Sequence, residues 1–322
     1  MAAKYAKKTI LFTIILASLW AGSNIVYRYL VESRDAFYTQ WFLLEQGNYN
    51  TVILGDSHVS YGIDQAQLPD SVFNFAYPGD QFEDMHLKTR YLLRNKPEID
   101  YYLIQADGHN FYTGLTSLGD PRYLRFVADS TFQSNQQLND WQLAKQQFHS
   151  WFPLSREANR RRFEQVLMKD LQKVLLNKEW TPGFYYQLDQ GNHMYWEYHQ
   201  GDLAQKSESK VQELAQQKAY DLHRLDHRIM PDAVHQFQEM VDIVRDHSKH
   251  ITLFTMPVSK PYWTIRAEHT QETVDSVLKS TPPIYRLDTL YQNRLKYFAD
   301  PSHLNRTGQQ IFTATFIKNV LK

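Results

Sequence analysis

The chain has 322 residues, enough to bury one sizeable core with room for an insertion or a small second domain. Its 35 Lys+Arg balance 35 Asp+Glu, so no broad field draws it to nucleic acid. It lacks cysteine, which excludes thiol catalysis, thiolate metal sites and disulfides and fits a bacterial envelope protein. Aromatic residues make up 14%, including 21 Tyr and 7 Trp, suited to core packing or to facing sugars and membrane headgroups.

Residues 1–8 carry Lys4, Lys7 and Lys8, and a charge-free stretch rich in Ile, Leu, Phe, Ala and Trp follows from Thr9 to about Tyr27. Its length is close to the ~20 residues a helix needs to cross a bilayer, which predicts an anchor over 9–28. The lysine flank predicts a cytoplasmic N-terminus, with everything after Arg28 outside. A cleavable signal peptide competes with that reading, because Ala21-Gly22-Ser23 offers small residues. Residues 29–49 read as a helical stem.

Five short apolar runs then read as buried strands: Thr51–Leu54, Val72–Ala76, Tyr101–Ala106, His250–Met256 and Ile284–Leu287. Asp84–Arg94 is a predicted helix carrying Met85, Leu87, Tyr91 and Leu92, and it stops before Lys96-Pro97. A second helix spans Asp232–Asp246, with Val234, Phe237, Val241 and Val244 on one face, and a last one spans Thr307–Val320. Strands alternating with helices over 50–322 predict an α/β fold: a flavodoxin-like three-layer sandwich with a five-stranded parallel sheet.

Residues 111–230 interrupt this rhythm. Helical patterns occur at Phe163, Leu167, Leu171 and Val174, and around Val211, Leu214, Leu222 and Leu225. The aromatic stretch Trp180–Tyr198 between them is either a platform for sugar rings or the core of an insertion. The segment is too long for a simple connection, which predicts a helical insertion or lid.

Two short motifs carry the chemistry. Gly55-Asp56-Ser57-His58 directly follows the first strand, and Asp300-Pro301-Ser302-His303-Leu304-Asn305 directly precedes the last helix. A serine on the turn after a strand can present its hydroxyl at a sheet edge. A histidine can take the hydroxyl's proton, and an acid three residues earlier can hold the other ring nitrogen. Gly79, the Asp107–Asn110 segment and the Met256–Ser259 segment also follow strands, at the edge where open parallel sheets gather their functional groups.

Structural roles compete at each position. Ser57 could cap the following helix, Gly79 could satisfy a tight turn after Pro78, and His303 could begin the last helix. Asp56 reads as a turn residue, and His58 and His109 as pocket lining or surface. Asp107 either serves the site or is a solvated loop acid. His223 and His227 stand four apart, a helix-face ligand spacing, but no acid completes a set and no metal is predicted. Arg160-Arg161-Arg162 is a solvated face or a contact for an anionic polymer or headgroup. No phosphate loop or dinucleotide fingerprint occurs, so no cofactor is expected.

These motifs resemble those of the SGNH (GDSL-like) hydrolase superfamily, and within it the membrane-anchored bacterial branch linked to acylation of envelope polymers. The resemblance covers roughly 51–110 and 250–322. Gly55-Asp56-Ser57 resembles the first block, with Ser57 as nucleophile. Asn74-Phe75-Ala76-Tyr77-Pro78-Gly79 resembles the second, whose glycine lends a backbone N–H to the oxyanion hole. Asp300-Pro301-Ser302-His303 resembles the last, giving Asp300 and His303 as triad partners. In the third block the usual Gly-x-Asn-Asp is replaced by Gly108-His109-Asn110, which makes Asn110 the candidate side-chain donor to the oxyanion. The leucine usual after the nucleophile is here His58.

The resemblance implies serine-dependent acyl transfer, acetyl above all, onto an envelope or secreted glycan. It implies a polytopic membrane O-acyltransferase as partner, and a single-pass protein of the bacterial inner membrane with its catalytic domain in the periplasm. A glycan O-acetyl esterase and a catalytically silent scaffold or glycan-binding subunit are the rival expectations.

Overall fold

The computed structural model describes residues 2–32, 35–112, 120–161, 163–164, 168, 201–223, 229–266, 277–278 and 284–321. In chain order the helices are α1 (Ala2–Leu30), α2 (Ala36–Gln46), α3 (Ser57–Gly62), α4 (Phe82–Asn95), α5 (Asp129–Asn135), α6 (Asp140–Trp151), α7 (Glu208–His223), α8 (Pro231–Asp246) and α9 (Arg306–Val320). The strands are β1 (Thr51–Leu54), β2 (Val72–Asn74), β3 (Tyr101–Gln105), β4 (His250–Phe254) and β5 (Ile284–Tyr285). The chain forms two compact units. One comprises Met1–Thr39, Asp120–Gln133 and Leu138–Gln187; the other comprises Gln40–Gly119, Ser134–Gln137 and Leu188–Lys322.

The second unit holds a five-stranded parallel sheet in the order β2-β1-β3-β4-β5. Every residue of β1 is buried, as expected of a strand covered on both faces, and its Ile53 pairs with Asn74 of β2 and Leu103 of β3. Phe312 and Phe316 of α9 pack with Ile53, Leu103 and Phe254 in one core. Helices α4 and α8 pack on each other, with the rings of Phe82 and Phe237 4.9 Å apart and Phe111 beside both. Pro231 opens α8, where its missing N–H costs no hydrogen bond.

Several strands end earlier than their apolar runs, because polar side chains intercept the backbone. β2 stops at Asn74, whose Oδ1 accepts from Ala76 N and whose Nδ2 donates to the Ile63 carbonyl. β4 stops at Phe254, beyond which the Thr255 hydroxyl accepts from the backbone N–H groups of Leu287 and Asp288. The edge strand β5 is two residues long. In the helices, Val234 is half-buried, while Ala233, Phe237, Met240, Val241 and Val244 form the covered face of α8.

The stem expected over 29–49 is not one helix. α1 runs on to Leu30, and α2 begins afresh where Asp35 Oδ1 accepts from Phe37 N. Met230 N donates to the Phe111 carbonyl, and the residues of the expected insertion 111–230 divide between the two units. Leu167, Leu171, Val174, Trp180–Tyr198, Leu225, His227 and Arg162 lie outside the described residues. α1 is long and apolar enough to cross a membrane over Tyr5–Leu30.

Candidate active site

The site forms in the second unit, where β1 sends the chain to β2 on one side while β3 lies on the other. Such a switch point leaves a crevice at the carboxyl ends of the strands. Gly55 makes the turn out of β1. A Cβ there would come within 2.4 Å of Val59 Cγ2 and 2.5 Å of Gln105 Oε1, so only glycine fits. Asp56 then caps α3: its Oδ1 accepts from His58 N at 2.8 Å, and its own N donates to Gln105 Oε1 at 2.8 Å. The cap being Asp56, Ser57 is left for another partner.

That partner is His303. Ser57 Oγ lies 2.9 Å from His303 Nε2, and His303 Nδ1 lies 2.8 Å from Asp300 Oδ2. Asp300 Oδ1 accepts from the backbone N–H groups of Ser302 and His303 at 2.8 and 2.9 Å, which locks the carboxylate edge-on to the ring. An antiparallel bridge between Phe298 and Leu304 pinches the base of this loop, and Asn305 caps α9 by accepting from Gly308 N. His303 therefore precedes the helix rather than beginning it. Burial raises the Asp300 pKa, but His303 beside it and the hydrogen bond between them outweigh this and hold it well below the carboxylate range. Asp300 is thus ionised at neutral pH, and it favours the tautomer with a proton on Nδ1 and a free lone pair on Nε2.

A second, buried layer lies behind the triad. The His58 ring stacks on His303 with centroids 4.6 Å apart and meets His109 edge-on at 4.5 Å. His109 Nε2 lies 2.5 Å from Asp56 Oδ2, and Asn110 Nδ2 reaches the same oxygen at 3.4 Å. Burial lowers the His58 pKa against the pull of Asp56, so this ring stays neutral beside His303. Asp56, though burial opposes it, is held well below its usual value chiefly by His109 and the hydrogen bond between them. His58 and His109 are thus buried rather than at the surface, and they pack behind the His303 ring.

Asp107 is buried and not the solvated acid that was its alternative. Its Oδ1 accepts from Met256 N at 3.0 Å and its Oδ2 from Gln105 Nε2 at 2.6 Å, which joins the ends of β3 and β4. Gln105 was missed by sequence reasoning. Its signal is a lone amide closing the otherwise apolar run of β3, where an unpaired polar group would be costly.

Gly79 sits in the turn Tyr77-Pro78-Gly79-Asp80, with φ of +89° and Asp80 N donating to the Tyr77 carbonyl. Pro followed by a glycine at positive φ is the type II pattern, so the turn itself requires this glycine. Tyr77 N also donates to the Gly55 carbonyl, which ties the turn to the segment bearing Ser57. The Asn110 amide faces Asp56 in this arrangement.

Asp56, His58 and His109 have ligand atoms within 4.8 Å of one another, the composition of a divalent-cation site. Both Asp56 oxygens, however, already accept hydrogen bonds, so a cation would have to displace the His109 contact. His223, on α7, is the described half of the other histidine pair. No family model and no curated protein sequence matches the chain.

One pH effect follows from this layer. Burial pushes the Asp107 carboxyl up to about 6, so it holds its proton more tightly in the folded than in the unfolded chain. Its contribution favours folding fully below about pH 4 and is lost as pH rises through 6, by up to about 3 kcal/mol. Asp107→Asn lacks that titration. Urea melts at intervals from pH 4 to 7 should show wild type losing stability relative to the variant; a difference that stays flat contradicts the assignment.

Proposed function

We propose that the chain is a membrane-anchored, extracytoplasmic SGNH-type enzyme that transfers an acyl group, acetyl first, to a hydroxyl of an envelope or secreted glycan through an acyl-Ser57 intermediate. One observation carries this reading: residues 246 apart in sequence, Ser57 and His303, meet at hydrogen-bond distance, with Asp300 on the far side of the ring. A purely structural serine at this position needs no such proton path. The strand order β2-β1-β3-β4-β5 supports a flavodoxin-like, three-layer sandwich as the scaffold. The lysine flank and apolar length of α1 support a single-pass anchor with its N-terminus in the cytoplasm.

In this mechanism His303 Nε2 accepts the Ser57 proton as Oγ attacks the acyl carbonyl. Asp300 stabilises the imidazolium, and the neutral His58 ring adds no like charge beside it. The tetrahedral oxyanion is held by the N–H groups of Ser57 and Gly79, and by Asn110 once its amide swings from Asp56; each such donor is typically worth ~3 kcal/mol of barrier. The imidazolium protonates the leaving oxygen. A sugar hydroxyl, deprotonated by the same ring, then attacks the acyl carbonyl, and the ring returns that proton to Ser57 Oγ as the serine leaves. An anchor holds this site at the membrane surface, where a polytopic O-acyltransferase would deliver the acyl group.

Product analysis tests the reading. The purified full chain in nanodiscs, given p-nitrophenyl acetate and a soluble polysaccharide, should acetylate the polymer faster than it releases acetate. Acetate release unaffected by polymer would make it an esterase, and turnover of neither kind would make it a scaffold.

A further inference from the structure

Helix α6, in the first unit, is amphipathic in the wrong sense for a helix facing water. Gln146 and Ser150 point inward, at 3% and 7% exposure, while Trp141 and Trp151 point outward at 78% and 71%. Trp141, Ala144, Phe148 and Trp151 recur at intervals of three, four and three residues, which sets them on one exposed stripe. Such an arrangement is stable where the surroundings of the stripe are apolar.

The contacts of α6 with α1 in the same unit say what those surroundings are. The Trp20 ring stacks on Phe152 at 4.5 Å and on Phe148 at 6.0 Å. Asn24 Oδ1 accepts from Leu154 N at 2.9 Å, and Arg28 Nη2 donates to the carbonyls of Ser150 and Trp151 at 2.9 and 2.6 Å. Trp20 is only twelve residues beyond Lys8, about 18 Å at a helical rise of 1.5 Å per residue. A bilayer's apolar core is about 30 Å thick. With Lys8 at the inner boundary, Trp20 and the rings stacked on it therefore lie about 12 Å inside the outer one.

We propose that α6 is embedded in the outer leaflet, its Trp141–Phe148–Trp151 stripe in contact with lipid, so that the unit dips into the bilayer beside its own anchor. This rests on the reading of α1 as a bilayer span. The occupant of the stripe is lipid, since its Phe148 stacks on Trp20 and so joins the stripe to the apolar surface of α1.

The absence of cysteine allows a direct test. Trp141→Cys, Trp151→Cys and, as an exposed control on α7, Ser209→Cys are each spin-labelled in the full chain in liposomes without partner proteins. Nitroxides at 141 and 151 should collide several-fold more with oxygen, which partitions into lipid, than with a water-soluble nickel chelate, and position 209 should show the reverse. Chelate collisions at 141 and 151 matching those at 209 would overturn the proposal. So would protection from both reagents, which means a protein contact covers the stripe. Alkaline carbonate extraction separates the premise: a chain released by carbonate refutes the anchor, whereas a retained chain with water-exposed 151 refutes α6 alone.

Discussion

Ser57→Ala and His303→Ala should each lower acyl turnover by roughly 10⁴- to 10⁶-fold, and the double variant should be no worse than either single one. The non-additivity is the informative part. In the proposed mechanism Oγ and Nε2, 2.9 Å apart, act as one unit, so removing either should end the covalent route and leave only binding and oxyanion stabilisation. Both variants should fold. Asp56, not Ser57, caps α3, and the Asp300 loop is held by backbone bonds such as Ser259 N to the Pro301 carbonyl and Ala299 N to the His303 carbonyl. Turnover with circular-dichroism melts checks this: wild-type rates in either variant, or multiplicative losses in the double, would contradict the assignment.

The largest stability effect is expected at a position outside the triad. Lys88, on α4, is 1% exposed; its Nζ bonds Asp80 Oδ2 at 2.5 Å and the Phe75 carbonyl at 2.6 Å, and lies 4.4 Å from the centre of the Phe75 ring. Asp80 is equally enclosed and closes the turn that holds Gly79. Lys88→Met would leave the Asp80 carboxylate buried without its ammonium, at a cost of about 3–5 kcal/mol. Because the strain falls on the residue after Gly79, turnover should drop as well. Lys88→Met with Asp80→Leu removes both charges and should recover much of the lost stability. Urea denaturation of the three proteins measures this; a Lys88→Met loss below about 1 kcal/mol would mean that water reaches Asp80.

Much of this was legible from the sequence, for identifiable reasons. Buried parallel strands read as unbroken apolar runs, so β1 and β3 stood out, and the expected helix starts at Asp232 and Thr307 fall one residue inside α8 and α9. Ser57, Asp300 and His303 stood out because each lies in a short motif just after a strand or just before the last helix, and the structure brings His303 within hydrogen-bond distance of the other two. The layer behind them did not. Nothing in a single sequence says that His58 stacks on His303, or that Asp107 and Gln105 join two strand ends, since these contacts arise only when β1, β3 and β4 lie side by side. Strand ends were misjudged where Asn74 and Thr255 intercept backbone groups, because a side chain's competition with a ladder depends on where it lands. The inverted polarity of α6 was equally hidden; its pattern names a stripe but not the direction in which the stripe points.

The central claim is that Ser57 is the acyl carrier, activated by His303. Treating the full chain with a serine-directed fluorophosphonate, followed by peptide mass mapping, tests it most directly. The account predicts a single phosphonylated residue, Ser57, and its loss in His303→Ala. An unmodified Ser57 in the folded wild-type chain, or equal labelling without the histidine, would contradict it.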